Sequence, residues 1–259
     1  MKIYCISLDV DYVRRECLSN KFVTRYTDFY IISAVNGNEL NAKDYFAYTQ
    51  AYFHKYKYLL TPSEIGCTLS HIKALKNFLM TDEKYALILE DDVIGADIDI
   101  HSIENIVDQL SFNGVLMCGG QEGLPQDWND YKYGRSIAID PDLYNINNYS
   151  IKFFSRTVCY VVDRAFASHY IAMNDGIVHL ADDWAKYFDN TNYSFYYKSI
   201  MKHPLDLSVS HIESQRRLTQ KSQNRLHVLQ ALFWYKCYRK LINFGYLVIS
   251  KINRDEKVN

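Results

Sequence analysis

Residues 86–94 read ALILEDDVI, and this stretch constrains the fold more than any other in the chain. The aliphatic run 85–89 shows no alternation of apolar and polar residues, which marks a strand covered on both faces, as in an α/β sheet with helices on either side. It ends in Glu90, Asp91 and Asp92, three consecutive carboxylates that repel one another and resist burial. Ligands of open α/β sheets bind beyond the carboxyl ends of the strands. The acidic triplet stands at such an end. Carboxylates are hard oxygen donors suited to Mg²⁺ or Mn²⁺, and one or two of them together with diphosphate oxygens hold such an ion. A solvated turn is the competing reading.

Other segments fit the same fold class. Residues 2–8 read as a first strand, 11–20 as a helix, and 29–35 as a second strand closing at Asn36-Gly37. Thr61, Pro62 and Glu64 form a Thr-x-x-Glu capping box with proline at the first helical position, and Ile65, Leu69, Ile72, Leu75 and Leu79 continue at helical spacing. Residues 39–60, rich in Tyr and Phe, lack a clean period and read as helix and loop. A helix over 103–110, strands over 114–118 and 157–162, a helix over 164–173, a helical start to 180–188 and a strand over 193–197 follow. The polar stretch 121–150 reads as long surface loops. The expected class is α/β with a largely parallel central sheet.

The chain has 259 residues, enough for one large domain or one domain with an appendage. None of the six cysteines is paired at CxxC spacing, and Cys5, Cys118 and Cys159 lie in apolar runs, which indicates reduced thiols and no zinc or redox motif. The amino terminus meets acidic residues too early for a signal peptide, and no apolar run is long enough to span a bilayer. Net charge is −1, yet residues 214–254 hold nine Lys or Arg and no Asp or Glu. This segment also carries Leu, Phe, Trp and Tyr, the composition of a helix at an anionic membrane surface; a basic helix packed on the domain is the alternative. No motif accompanies it that points to nucleic acid. The division expected is a catalytic domain over 1–213 and a basic aromatic helical tail over 214–259.

The segments ISL followed by Arg14-Arg15, AVNG at 34–37, EIGCTLSHIKAL at 64–75 and LILEDDV at 87–93, in this order, resemble glycosyltransferase family 25, the lipooligosaccharide galactosyltransferases of bacteria and their collagen-modifying relatives. YVVDRAFASHYI at 160–171 continues the resemblance more weakly. Asn36 stands where the family usually has Asp, and Ser63 where it often has Gly. The resemblance implies a GT-A type, Rossmann-like fold, a nucleotide-sugar donor and transfer with inversion. It implies that Glu90, Asp91 and Asp92 are the counterpart of a DxD motif, with Asp91 and Asp92 holding Mn²⁺ or Mg²⁺ and Glu90 touching the donor.

Further roles follow from that resemblance. Arg14 or Arg15 contacts the nucleotide or diphosphate, since the guanidinium fork suits phosphate, and Asn36 hydrogen-bonds the nucleotide. Asp182 and Asp183 supply the base, with Asp183 preferred; helix capping is the alternative for Asp182. His211 is the candidate late metal ligand, a role His often takes in GT-A enzymes, with a structural or exposed histidine as the alternative. Ser70, one turn from Gly66, admits a close approach by either the neighbouring strand or the ligand, and Gln121 lines the donor or acceptor pocket. Ser70-His71 has no evident acidic partner, which argues against a hydrolase triad. The expected reaction moves a hexose, galactose from UDP-galactose, onto lipooligosaccharide at the inner face of the bacterial inner membrane, from the cytoplasm. The alternatives are another UDP-hexose, a capsular acceptor, a phosphohydrolase, or a non-catalytic sugar-binding protein of the same fold.

Overall fold

The computed structural model describes residues 1–130, 132–206, 212, 215 and 216. His211 and nearly all of the basic tail lie outside the described residues. No helix among those described is long and apolar enough to cross a membrane.

One eight-stranded sheet organises the described chain. In chain order the elements are β1 (Lys2–Ser7), α1 (Tyr12–Lys21), β2 (Phe29–Ser33), α2 (Ala42–Tyr56), α3 (Pro62–Leu79), β3 (Tyr85–Glu90), α4 (Asp97–Gln109), β4 (Gly114–Gly119), α5 (Gln126–Asp130), β5 (Gly134–Ile137), β6 (Asp140–Ile146), β7 (Cys159–Asp163), α6 (Arg164–Met173), α7 (Trp184–Tyr187) and β8 (Ser194–Met201). The strand order is β2-β1-β3-β7-β4-β8-β6-β5. β1 pairs in parallel with β2 and β3, and β4 with β8. β7 is antiparallel to β3 and β4, and β6 to β5 and β8. Six strands therefore share one direction, and β7 and β6 run against them. The α/β class and Rossmann-like half stand as expected, with a sheet that is mixed in its pairings.

The absence of alternation in β3 has the cause the sequence suggests. Ala86 and Ile88 enter one core with Tyr4, Val115, Tyr160 and Phe166, whereas Tyr85, Leu87 and Leu89 enter the other with Ile3, Cys5, Ile103 and Val161. A half-buried strand cannot supply two cores; β3 does because both of its neighbours are paired. The five cysteines described are all free.

Two local expectations change and one is sharpened. Residues 134–146 form a hairpin on the sheet edge; the strands GRSI and DPDLYNI are mostly exposed and polar, so they carry no apolar signal. Within residues 39–60 the helix-and-loop expectation stands and gains bounds: α2 is capped by Asn41 accepting from Asp44 N at 2.9 Å, and the loop follows Tyr56. In residues 180–188 the helical turn comes late, at Trp184–Tyr187, not at the start.

α2 and the chain around residue 178 enclose a third, aromatic core containing Tyr52, Leu60, Ile65 and Val178. The His179 ring sits there, buried, edge-on to Tyr52 and Tyr56 at 6.1 Å each, and neither ring nitrogen has a hydrogen bond of normal geometry. Burial, then the charges of Lys186 and Lys55, pushes its pKa below the ordinary 6.5. The unfolded chain thus takes up the His179 proton first, and stability falls as pH drops below that value. Replacing His179 by Phe removes the titratable ring while keeping an aromatic in this core. Urea unfolding of His179→Phe should show stability at pH 7.5 within about 1 kcal/mol of wild type or higher, and a shallower loss between about pH 7 and 5; an unchanged slope would contradict the assignment.

Candidate active site

The shared strand direction gathers chemistry at one edge. The carboxyl ends of β1, β2, β3 and β8 and the start of β7 surround a cavity of about 310 Å³. Backbone bonds fix the acidic segment there: Glu90 N donates to Val158 O at 3.0 Å and Asp91 N to Ile6 O at 3.1 Å. Glu90, Asp91 and Asp92 all line the cavity, along with Arg14, Asn36, Ser70, His71, Arg156, Asp182, His203 and Arg216.

The three carboxylates occupy different surroundings. Asp91 is 8% exposed, and its Oδ1 accepts from Arg14 NH1 at 3.0 Å. Burial raises its pKa, and bonds from Ser7 and Arg14 oppose the rise. Asp92 lies farther from Arg14, at 3.9 Å. Burial first, and then the charges of Glu90 and Asp91, push its carboxyl up to about 7. Burial would raise Glu90 too, but hydrogen bonds from His71 and Thr157 and the nearby His203 outweigh it and hold Glu90 below its ordinary value. His71 bridges Glu90 Oε1 at 3.3 Å and the Tyr160 hydroxyl at 2.9 Å. The acidic partner that the sequence does not reveal for His71 is therefore Glu90.

Two buried oxygens, Asp91 Oδ2 and Asp92 Oδ1, have no hydrogen-bond partner among the described residues. Unpaired buried carboxylate oxygens are costly, and a cation is the natural complement. His203 adds a suitable nitrogen. Its Nδ1 lies 2.7 Å from Pro204 O, which fixes the proton on Nδ1 and leaves the Nε2 lone pair directed 3.9 Å from Asp92 Oδ2. A ring nitrogen anchored to a backbone carbonyl while the other faces carboxylates is the usual dress of a metal-ligating histidine. Carboxylate oxygens with one imidazole nitrogen, the donor types of Asp91, Asp92 and His203, are of the kind that could hold Mn²⁺ or Mg²⁺.

The arginine pair divides its work. Arg14 faces the cavity. Arg15 instead donates to Ser7 Oγ at 2.8 Å, Leu8 O at 2.6 Å and Asp9 O at 2.9 Å, which ties down the loop after β1. Gln121 is likewise inward and structural: it binds Ser155 O and accepts from Lys132 Nζ at 3.2 Å, holding the 121 and 155 loops together away from the cavity wall. Of the aspartate pair, Asp183 caps α7 by accepting from Lys186 N at 3.3 Å, and Asp182 lines the cavity with Oδ2 accepting from Arg156 N at 3.0 Å. The capping and cavity-facing positions are thus the reverse of those the sequence reading prefers.

Arg156 and Arg216 escaped the sequence reading. Arg156 sits at φ 67, a left-handed conformation uncommon outside glycine. Its guanidinium is anchored on Gly120 O at 2.9 Å and Glu122 O at 2.7 Å. Arg216 Nε bonds the buried Glu64 Oε1 at 2.7 Å. Glu64 also closes the capping box of α3 through Thr61 N at 2.8 Å, so its structural role is the one expected. A φ outlier and a lone basic residue have no sequence signature; only the fold brings them to the cavity.

Asn36 accepts from Asn38 N at 3.1 Å and so shapes the turn after β2. That turn lies directly on α3, because Ser70 Oγ accepts from Val35 N at 2.8 Å. The close approach that Gly66 and Ser70 permit is used by the strand's exit, and Ser70 also lines the cavity.

The whole is an α/β protein whose carboxylates and arginines converge on one cavity at the strand ends. The model of glycosyltransferase family 25 (LPS biosynthesis protein) matches residues 1–184, and the chain belongs to that family. It is a glycosyltransferase of the lipopolysaccharide-biosynthesis class. No curated protein sequence matches it. Among solved structures it is similar to the galactosyltransferase LgtC in complex with donor and acceptor sugar analogs, at 10% identity and TM-score 0.38 over 89% of this chain and 98% of that one. It is also similar to 4-diphosphocytidyl-2C-methyl-D-erythritol synthase from Anaerococcus prevotii DSM 20548, at 12% identity and TM-score 0.40 over 85% and 98%.

The glycine contact gives a test of this architecture. A Cβ on Gly66 would stand 2.6 Å from Val35 O and 2.7 Å from Gly37 N, so the Asn36 turn would have to move. Gly66→Ala should lower stability in urea by about 1–3 kcal/mol. Stability equal to wild type would show that the turn is not seated on α3 as described.

Proposed function

We propose that the chain transfers a hexose from a UDP-sugar to a sugar hydroxyl of lipooligosaccharide, with inversion at the anomeric carbon and with the help of Mn²⁺ or Mg²⁺. The observation that carries this reading is the pair of unpartnered buried oxygens on Asp91 and Asp92, set beside Arg14 and His203 in the cavity. Asp91, Asp92 and His203 would hold the metal, which when bound supplies Lewis-acid stabilisation of the departing diphosphate. His203 takes the late-ligand role expected of His211, which lies outside the described residues.

The remaining work belongs to side chains. Arg14 and Arg156 present positive charge to the diphosphate from opposite sides of the acidic segment, and Asn36 borders the nucleotide. Glu90, kept ionised by His71 and Thr157, accepts hydrogen bonds from donor hydroxyls. In an inverting displacement the acceptor oxygen attacks the anomeric carbon while the bond to the phosphate oxygen breaks, and UDP leaves with the electron pair. The hydroxyl proton goes to Asp182, whose Oδ2 is oriented by Arg156 N while Oδ1 is left for the acceptor. Galactose is the favoured sugar from the family resemblance, and the basic segment from residue 214 is the proposed docking element for an anionic membrane on the cytoplasmic side.

Transfer from a panel of UDP-hexoses to deacylated lipooligosaccharide tests this. UDP-galactose should give the highest kcat/KM and a product of inverted configuration. Asp182→Asn should lower kcat by roughly 100-fold or more with little change in donor KM, the range for loss of a general base. Full activity in Asp182→Asn would remove it as the base. Absence of both transfer and UDP release with every donor would favour a non-catalytic sugar-binding protein.

A further inference from the structure

A second donor cluster lies beside the carboxylates and differs from them in chemistry. Cys67 and His71 are four residues apart on α3, so they share one helix face. Glu90 reaches the same point from the end of β3. Cys67 Sγ, a ring nitrogen of His71 and a carboxylate oxygen of Glu90 all lie within 4.8 Å of one another, and all three residues line the cavity. Donors bound to zinc at roughly 2.0–2.3 Å stand only a little closer together than this.

We infer that Cys67, His71 and Glu90 form a binding site for one thiophilic divalent cation of the Zn²⁺ class, separate from the hard-oxygen donors Asp91 and Asp92. Sulfur and imidazole select such an ion, whereas carboxylates alone select Mg²⁺ or Mn²⁺. Three protein donors leave a fourth position open toward the cavity, for water or a ligand oxygen.

The surroundings supply what such a site needs. His71 is 1% exposed and its Nδ1 lies 2.9 Å from the buried Tyr160 hydroxyl. That hydroxyl both donates and accepts. Without a metal it donates to Nδ1, and Nε2–H donates to Glu90. With a metal the proton moves to Nδ1, the Tyr160 oxygen accepts it, and Nε2 turns its lone pair to the ion. This outer partner is the arrangement that orients metal-bound histidines. Both hydrogen bonds to Glu90, from His71 and Thr157, fall on Oε1, which leaves Oε2 for the ion. The Cys67 proton passes to solvent on binding. Occupation withdraws Glu90 from His71, so this ion would compete with donor binding.

Cobalt reports on the sulfur directly. Chelator-treated full-length protein titrated with Co²⁺ should develop an intense near-ultraviolet thiolate-to-metal charge-transfer band that saturates at one equivalent and is bleached by Zn²⁺. Cys67→Ala should abolish the band, and Cys17→Ser, at an exposed thiol on α1, should retain it. Tyr160→Phe should weaken cobalt binding by about 10–100-fold. His71→Asn, which removes the nitrogen donor, serves as the second variant should Cys67→Ala not fold. No band in the wild type, or an undiminished band in folded Cys67→Ala or His71→Asn, overturns the site. The readout is independent of sugar transfer, so its failure leaves the proposed reaction untouched.

Discussion

Three adjacent carboxylates at the end of a strand buried on both faces are the constraint around which this protein is built. Like charges at this spacing cannot all remain ionised in a poorly hydrated setting without opposite charge close by. The fold answers with different partners for each. Asp91 takes Arg14, and Glu90 takes His71 and Thr157. Asp92 is left with the most distant cations, and its carboxyl is pushed up to about 7. The electrostatic tension is concentrated on one residue that faces the cavity. In the reading proposed above a divalent ion would relieve it, coupling ligand capture to this same repulsion.

The strand directions make this possible. β7 enters antiparallel between β3 and β4, so its beginning, with Arg156 and Thr157 just before it, meets the ends of β3 and β4. An all-parallel sheet would place the start of that strand at the opposite edge. The reversed strand thus delivers a hydroxyl to Glu90 and a backbone N–H to Asp182 at the edge where the acidic segment lies. α3 completes the wall from the other side: its capping-box Glu64 anchors Arg216, and its Gly66–Ser70 face seats the Asn36 turn.

Much of this was legible in the sequence, for identifiable reasons. The capping box of α3 is a local rule with local partners, and the apolar run of β3 reports its own burial. The acidic triplet marks the cavity because charge at a strand end has few other uses. Direction is different: the apolar run at 158–162 reads the same whichever way the strand runs, so the antiparallel β7 is not visible. The hairpin at 134–146 hides because most of its side chains are polar or exposed and only the scattered Leu143 and Ile146 are buried, too few to make an apolar pattern. Asp182 and Asp183 cannot be told apart by type, since either aspartate can cap a helix; only the backbone path decides that Asp183 does so. His203 and Arg156 gain their placement from partners distant in the chain, His203 beside Asp92 and Arg156 on Gly120 O, through β8 pairing with β4 and β7 lying between β3 and β4, and no local pattern encodes that.

The central claim is that Asp92 and its neighbours need a cation to receive a nucleotide diphosphate. Thermal unfolding in the presence of a UDP-hexose measures it, because a ligand that binds only the folded state raises Tm by mass action. The account predicts a rise that requires Mn²⁺ or Mg²⁺ in the wild type and is absent in a folded Asp92→Asn protein. A rise of equal size without metal, or one retained in Asp92→Asn, would contradict it.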